Sequence, residues 1–536
     1  MKNKNKKKLN LLIFSHNNDY NIKIFDKLSQ KIKKKIIVTN IITVDKKNIK
    51  SLNESFKYSK TILRDDLIKE KTLNLNKIFK NKNLKKFYKC KDIFFKMLDF
   101  TKLDDSYFTT EEKKDAFSHY LKIVLNYLYL NKIDVVFFSH VPHNFFEVLF
   151  IQVCKIKNIK IIFTRAYLLP GFYLFETDLF FTSLQKENNR NSEYLNPGLV
   201  DFFKEAKKKF DLLNIKKNIW LDYSLIFNLS NQNRISKFFF TFFCVRKYLN
   251  FFLRKILIIF KLFITFFTDS FKKNQYQNLK NYYFIDDFHK EKKSTLMNSN
   301  LNKFILEKIY LKTDIKKFKL LRDYLRLSSK VNLNDNFIFF PLWFQPSSTT
   351  YPFGGKLIDY IKCVKILSKS LPKNWKIFIK ESPDIFNMNK HAWFKGTYTR
   401  NKKFYSKLKK IKGVYLVNYE IPDYKLIDSC KATATHADKF GLISILRNKP
   451  NINFSNSIQR YCHGTFICKN LRDIKTSIIK IQNGFKINKK KLYIFFSILS
   501  KKLFYRETIK GFNKYETKTE YSKISKLLEN ELNKSF

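Results

Sequence analysis

Two stretches of this chain alternate short apolar runs with helix-length segments, and that alternation limits the fold more than any other feature. In the first, LNLLIFS (9–15) precedes a helix-like segment from Asp19 to Lys34, and IIVTNIITV (36–44) follows. The amphipathic run 111–132 then leads into DVVFFSH (134–140), a helix over 144–157 and IKIIFTRAYLL (159–169). The second stretch opens on FIFFPLW (337–343), with a helix over 355–371 and WKIFIKES (375–382) after it. A helix near 401–411, VYLVNY (414–419), a short helix from Pro422 to Ser429, KATATHA (431–437), a helix over 441–449 and a last strand PNINFSN (450–456) complete it. Apolar strands separated by helix-length segments predict βαβ units and parallel sheets. The expected architecture is α/β: two Rossmann-like domains facing a cleft, with a lysine-rich helical insertion over about 45–132 and a helical C-terminal tail over 471–536. The N-terminal α/β domain would span 1–214, a helical aromatic-basic insertion 215–330, and the second α/β domain 331–470. Ligands of open α/β sheets bind beyond the carboxyl ends of the strands, so the loops there are the first place to look for a site.

Charge is the next constraint. With 105 Lys+Arg against 45 Asp+Glu the formal net charge is +60, which at first points to nucleic acid. The lysines are spread along the whole chain, however, and the accompanying Asn, Ile, Phe and Tyr share A/T-rich codons with Lys. The sequence therefore predicts no nucleic-acid partner; phosphorylated substrates and an anionic membrane surface fit better. Hydrophobic residues make up 44% of the chain, too many for intrinsic disorder. The 7 Cys are scattered without a CxxC pair, which supports neither a disulfide framework nor a zinc ribbon and makes a reducing cytoplasm the expected compartment. The basic N-terminus resembles a signal peptide, but its apolar run Leu9 to Phe14 is short and reads as a strand. No run of about 18 uncharged apolar residues predicts a membrane span. The segment 235–273 is dense in Phe and punctuated by Arg246, Lys247, Arg254, Lys255 and Lys261. Two readings stand for it: interfacial helices with basic groups on lipid phosphates, giving peripheral contact at the inner face of the membrane, or helices packed on the protein's own core.

The segment FFPLWFQPSSTTYPFGGK (339–356) carries the most chemistry. A strand ends, Ser347, Ser348, Thr349 and Thr350 follow, and Gly354-Gly355 opens a helix, an arrangement whose backbone amides and hydroxyls suit a phosphate. The glycine pair also serves ordinary turns. Gln345-Pro346, Thr349-Thr350 and Gly354-Gly355, followed by LPKNW (371–375) and IFIKESP (377–383), resemble the bacterial capsule polysaccharide biosynthesis proteins, which include Kdo-transferase-like glycosyltransferases. The likeness continues through ATATHADKFGLISILRNKP (432–450), and FFSHVPHNFFEVLF (137–150) is similar to an N-domain segment of such proteins. The resemblance implies a GT-B fold with the nucleotide-sugar donor on the second domain. It places Gln345, Pro346, Ser348, Thr349, Thr350, Gly354, Gly355, Lys380, Glu381, Ser382, Pro383, His436, Asp438 and Gly441 on the donor side. Two positions depart from the family: its His before the last Pro stands here as Ser382, and its Glu after Gly441 stands as Ile443. A different donor, substitution by Asp438 and His436, or a catalytically weak copy would each account for them.

The first domain is expected to hold the acceptor and its base. His16 and Asp19 follow the first strand; His140 and His143 follow DVVFFSH, with Glu147 one helical turn later. A His of near-neutral pKa suits deprotonation of a hydroxyl, and His143, which also falls in the family resemblance, is the preferred candidate. Arg165 could pair with a sugar carboxylate or phosphate. Each of these residues also fits an ordinary capping, loop or ion-pair role. No metal site and no cofactor is expected. Walker A, G-x-S-x-G, H-E-x-x-H and G-x-G-x-x-G patterns are missing, which removes P-loop, hydrolase and dehydrogenase readings. The expected function is transfer of a sugar from a nucleotide-sugar donor, by resemblance a CMP-Kdo-like one, to a capsule or surface polysaccharide or glycolipid acceptor. The alternative is a non-catalytic relative that binds or scaffolds in polysaccharide biosynthesis or export.

Overall fold

The computed structural model describes residues 8–15, 18–43, 49–69, 85–99, 109–142, 144–166, 172–177, 316–317, 319–343, 357, 359–386, 400–418, 421–436, 439–455, 457–505 and 521–534. The chain divides into two compact units. One comprises Met1–Asp99, Tyr107–Asn196 and Tyr493–Phe536, the other Phe100–Ser106 and Pro197–Leu492. Both are α/β, each built on a sheet whose neighbouring central strands run parallel, as the alternation predicts.

The first sheet contains β1 (Leu9–Ser15), β2 (Ile36–Thr43), β3 (Lys60–Leu63), β4 (Val135–Phe138), β5 (Lys160–Ala166), β6 (Phe172–Glu176) and β13 (Phe504–Tyr505). Their spatial order is β13-β6-β5-β4-β1-β2-β3. The five strands from β5 to β3 are parallel, and β6 and β13 are added antiparallel at one side. The second sheet contains β7 (Phe337–Pro341), β8 (Lys376–Lys380), β9 (Val414–Leu416), β10 (Ala432–Thr435), β11 (Asn451–Asn453) and β12 (Thr465–Ile467). Its order is β12-β11-β10-β7-β8-β9, all parallel. In both sheets the chain starts in the middle, winds to one side and then crosses to the other. The reversal falls between β1 and β4 in the first sheet and between β7 and β10 in the second. At such a switch point neighbouring loops leave in opposite directions and open a crevice at the carboxyl edge.

The central strands β4 and β7 are apolar throughout because both of their faces are covered. Part of the chain's Phe packs there. Phe14 and Phe138, opposite each other on β1 and β4, stack at 4.3 Å, and Phe337 stacks on Phe378 at 4.1 Å. Along β7, Phe337 and Phe339 enter one apolar cluster while Ile338 and Phe340 enter the other, the period of two expected for a strand covered on both sides. The helix Thr110–Asn131 begins with a capping box: the Thr109 hydroxyl accepts from the Glu112 amide at 3.2 Å, and the Glu112 carboxylate accepts from the Thr109 amide at 2.7 Å.

Four strands are absent from the sequence reading. β3 lies inside the segment read as a helical insertion, β6 and β13 extend the first sheet, and β12 follows the strand read as the last one. Each is short and lies at or next to a sheet edge, outside the alternating apolar runs that announce the central strands. The tail is helical over Leu471–Gln482, Lys489–Lys502 and Tyr521–Asn533, as expected, with β13 between the last two. The final helix packs on the first unit: Ile524, Leu528 and Leu532 are buried there and the Ser525 hydroxyl donates to the Ile24 carbonyl at 2.8 Å. Residues 215–315, with the aromatic-basic segment 235–273 read either as interfacial helices or as core-packed ones, lie outside the described residues.

Candidate functional site

In the second unit the site candidate is the carboxyl edge at the β7/β10 switch point. The chain leaves β7 through Leu342 and Trp343 and enters the Gln345–Gly355 segment. The Trp343 main chain is held from two sides. Its amide donates to the Tyr360 hydroxyl at 3.2 Å, and its carbonyl accepts from that hydroxyl at 3.1 Å and from the Arg400 guanidinium at 2.8 Å. Just before it, the Leu342 amide donates to the Lys380 carbonyl at 2.8 Å, extending the β7–β8 ladder to the strand end.

Behind Trp343 sits a buried charged cluster. Glu381, 1% exposed, accepts from Arg400 Nε at 2.6 Å and from the Tyr405 hydroxyl at 2.9 Å on one oxygen, and from the Ser382 amide at 2.9 Å on the other. Arg400, 0% exposed, also lies over the Tyr360 ring at 5.1 Å and the Phe404 ring at 4.6 Å. Burial works most strongly against its charge, but Glu381 together with the Tyr405 and Tyr360 phenols outweighs it and holds the guanidinium above its ordinary value. The Tyr324 hydroxyl accepts from the Glu381 amide at 3.1 Å and donates to the Val417 carbonyl at 2.6 Å. Burial first, and Glu381 beside them, push the Tyr405 and Tyr324 phenols upward, so both remain hydrogen-bond donors. Glu381 thus faces inward. Its strand neighbour Lys380 points the other way, with Nζ at 2.7 Å from Asp423 and 2.6 Å from the Ile421 carbonyl. Ser382 is buried, and Pro383 opens the short 3-10 turn Pro383–Phe386.

His436, at the end of β10, is also buried. Nε2 donates to the Leu357 carbonyl at 2.7 Å, the Cys363 thiol lies 3.8 Å away, and the Tyr360 and Phe454 rings pack on it. Burial pushes its imidazole down to about 4, so it is neutral and acts as a fixed donor. Gly441, in the helix Lys439–Leu446, meets β10 and β11 closely: a Cβ there would lie 2.4 Å from Gln459 Oε1, 2.5 Å from Asn451 Nδ2 and 2.8 Å from Thr435 Oγ1. Ile443 packs in the apolar cluster around Phe339 and Phe440. Gln345, Pro346, Ser348, Thr349, Thr350, Gly354, Gly355 and Asp438 lie outside the described residues.

In the first unit the β1/β4 switch point gathers polar groups at the same edge. Asn21 donates to the Ser15 hydroxyl at 2.7 Å at the end of β1. Beyond β4, Asn144 caps the helix Phe145–Ile156 by accepting from the Glu147 amide at 2.8 Å. The Glu147 carboxylate, fully buried, is 3.0 Å from His140 Nε2 and 3.9 Å from Arg64 Nη1. His140 and Glu147 are therefore together, as their spacing suggests, while His140 Nδ1 is shielded from solvent. Arg165 lies on β5 beside β6, where burial pushes its guanidinium down to about 9 and the Glu176 carboxylate opposes that shift. His16 and His143 lie outside the described residues; Asp19 is described only as part of the helix Asn18–Asp26.

Arg64, Arg400, Tyr324, Tyr360 and Tyr405 are absent from the sequence reading. One signal was available: in a chain whose bases are mostly Lys, an Arg at the end of a strand or the start of a helix marks a place where a planar fork is needed. Among the described residues no group of three or more His, Cys, Asp and Glu could hold a metal, and no helix is long and apolar enough to cross a membrane.

No family model matches the chain, and no curated protein matches it. Among solved structures, the chain is similar to a UDP-GlcNAc 2-epimerase from Methanocaldococcus jannaschii, at 12% identity and a TM-score of 0.22, over 92% of this chain and 99% of that one. It is similar to a glycosyltransferase from Rickettsia africae at 10% identity and a TM-score of 0.23, over 98% of each chain. It is also similar to KpsC, a beta Kdo 2,7 transferase from Thermosulfurimonas dismutans, at 12% identity and a TM-score of 0.20, over 37% of this chain and 67% of that one. Superpositions this loose carry no weight, and the fold and the functional reading rest on the chain's own strands and side chains.

Proposed function

We propose that the protein is a glycosyltransferase of the GT-B type that moves a sugar from a nucleotide-sugar donor to a hydroxyl of a surface-polysaccharide or glycolipid acceptor. One observation carries this reading. The segments singled out for chemistry follow the strands that meet at the two switch points: Gln345–Gly355 comes after β7, His436 and Asp438 after β10, His16 after β1, and His140 and His143 after β4. Those are the loops that line a ligand crevice in a doubly wound sheet. Main-chain amides and hydroxyls of 347–356 would stabilise the leaving phosphate. Lys380 is committed to Asp423, so it supports strand geometry rather than the phosphate charge. His143 or His16 would take the acceptor proton, with Asp19 nearby in sequence. Arg165 and the His140–Glu147 pair would shape the acceptor side. A CMP-linked acidic sugar is the donor that the family resemblance suggests, with capsule assembly as the setting.

A second reading has an observation of its own. Lys380, Glu381, Ser382, His436 and Gly441 are buried or bound to other parts of the unit, and Ile443 stands in an apolar cluster. A protein that binds a glycan precursor without turning it over would tolerate that arrangement. Calorimetry with a panel of CMP-, UDP- and GDP-sugars, followed by product analysis with glycan acceptors, separates the two. Transfer supports the enzyme; binding without hydrolysis or transfer supports the second reading; no binding by any nucleotide sugar sinks both. Flotation with anionic liposomes, repeated after deletion of 235–273, tests the proposed peripheral membrane contact. Unchanged flotation would exclude that segment as the anchor.

A further inference from the structure

We infer that Arg400 is a positioning residue for the donor site, acting through the Trp343 main chain; this rests on the donor reading above. Four elements converge on its guanidinium. The end of β7 offers the Trp343 carbonyl, the end of β8 the Glu381 carboxylate, the helix Tyr360–Ser368 the Tyr360 ring, and the helix Lys402–Lys409 the Phe404 ring. A single planar fork joins the carboxylate, through Nε at 2.6 Å, to the carbonyl, through Nη2 at 2.8 Å. Lysine has one nitrogen and cannot reproduce this divergence. Tyr360 closes the other side, holding both the amide and the carbonyl of Trp343. Trp343 is the last described residue before Gln345, so this clamp fixes the main chain at the strand exit from which the candidate phosphate-binding sequence continues.

Placement favours positioning over plain stability. The β7–β8 ladder already anchors the strand up to Leu342, whose amide donates to the Lys380 carbonyl. The Trp343 carbonyl accepts from the Tyr360 and Arg400 side chains, which are seated in the same buried cluster. Glu381 then has a role that its sequence position does not suggest: it orients and neutralises the fork from behind and does not face a ligand. Its oxygens accept from Arg400, Tyr405 and the Ser382 amide.

The test must separate positioning from folding. Arg400→Met alone strands the Glu381 carboxylate in a dry site and should unfold the second unit. The pair Arg400→Met with Glu381→Gln removes both charges and should restore a wild-type melting temperature, since a buried ion pair is replaced by neutral groups. In that double variant donor-nucleotide Kd should remain at least tenfold weaker than wild type, and the Trp343 amide should exchange with deuterium at least tenfold faster. Arg400→Lys should keep the charge yet show the same two losses. A double variant with wild-type nucleotide affinity and wild-type Trp343 exchange would reduce the cluster to a stability element and overturn the inference. If the wild-type chain binds no nucleotide sugar, the donor reading fails. The Trp343 exchange rate still decides whether Arg400 holds the strand exit.

Discussion

Replacing Gly441 with alanine puts a methyl group where three polar atoms already sit. The new Cβ would lie 2.4 Å from Gln459 Oε1, 2.5 Å from Asn451 Nδ2 and 2.8 Å from Thr435 Oγ1, all inside contact distance. Gln459 ends a flexible side chain and can retreat. Thr435 and Asn451 cannot do so cheaply, because they are short side chains on adjacent strands and bonded to each other. Asn451 Oδ1 accepts from Thr435 at 2.9 Å and from Thr433 at 3.1 Å, and the Thr433 hydroxyl lies 2.8 Å from that of Ser444 on the same helix. Forcing a methyl into a packed site costs about 1–3 kcal/mol, and each hydrogen bond broken to make room about 1 kcal/mol more. Alanine recovers about 1 kcal/mol of helix propensity over glycine. The balance is a loss of about 2 kcal/mol, located in the second unit. Pulse proteolysis across a urea series, read on fragments of that unit, measures it. Gly484→Ala is the control. Nothing lies within 4 Å of its Cβ, and only the φ of +79° is strained, so it should cost about 1 kcal/mol. A Gly441→Ala protein that resists urea as well as wild type would show that the network gives way freely, and the close approach would lose its meaning.

Three further outcomes are expected. His436 has a folded pKa of about 4 against about 6.5 unfolded, so the folded state binds fewer protons. Its contribution is complete above the unfolded value and is lost as pH falls toward 4, on the order of 3 kcal/mol; acid titration of urea midpoints should show that slope, and His436→Gln should flatten it. Lys380→Met leaves Asp423, itself 22% exposed, without its partner at 2.7 Å and should cost about 2 kcal/mol. If the same variant abolishes nucleotide binding while the unit stays folded, Lys380 faces the donor after all. Truncation before Tyr521 uncovers the surface under Ile524, Leu528 and Leu532, at about 1.5–3 kcal/mol per side chain, and should leave the first unit open to proteolysis; an undigested truncated protein would contradict that packing.

The fold was legible where strands are long and apolar. LNLLIFS and FIFFP announce themselves because both faces of a parallel strand are covered, and their βαβ spacing specifies the class. β3, β6, β12 and β13 escaped because strands of two to five residues are recruited by a sheet edge already present, which is a tertiary effect. For the site, strand ends could be read but directions could not. Lys380 and Glu381 are adjacent in a motif that points to a ligand, yet one turns to Asp423 and the other to Arg400, nineteen residues downstream. Arg64 and Glu147 meet only because β3 joins the sheet that carries β4. Side-chain facing depends on which remote partner arrives, and local pattern does not contain that information.

The first sheet carries its last strand far from its others in sequence. β13 pairs Phe504 with Tyr173 and Tyr505 with Phe172, and the helix after it closes over β1's neighbour, the helix Asn18–Asp26. During synthesis β6 must therefore wait through more than half the length of the chain with one edge unpaired. The second unit, all of whose described strands lie between Phe337 and Ile467, emerges complete in the meantime. An unpaired edge rich in Phe and Tyr is a template for association with other chains. The vulnerable species in production of this protein is the nascent chain that has finished its second sheet and not yet its first. Slowed synthesis over residues 180–500 should lengthen that exposure and lower soluble yield.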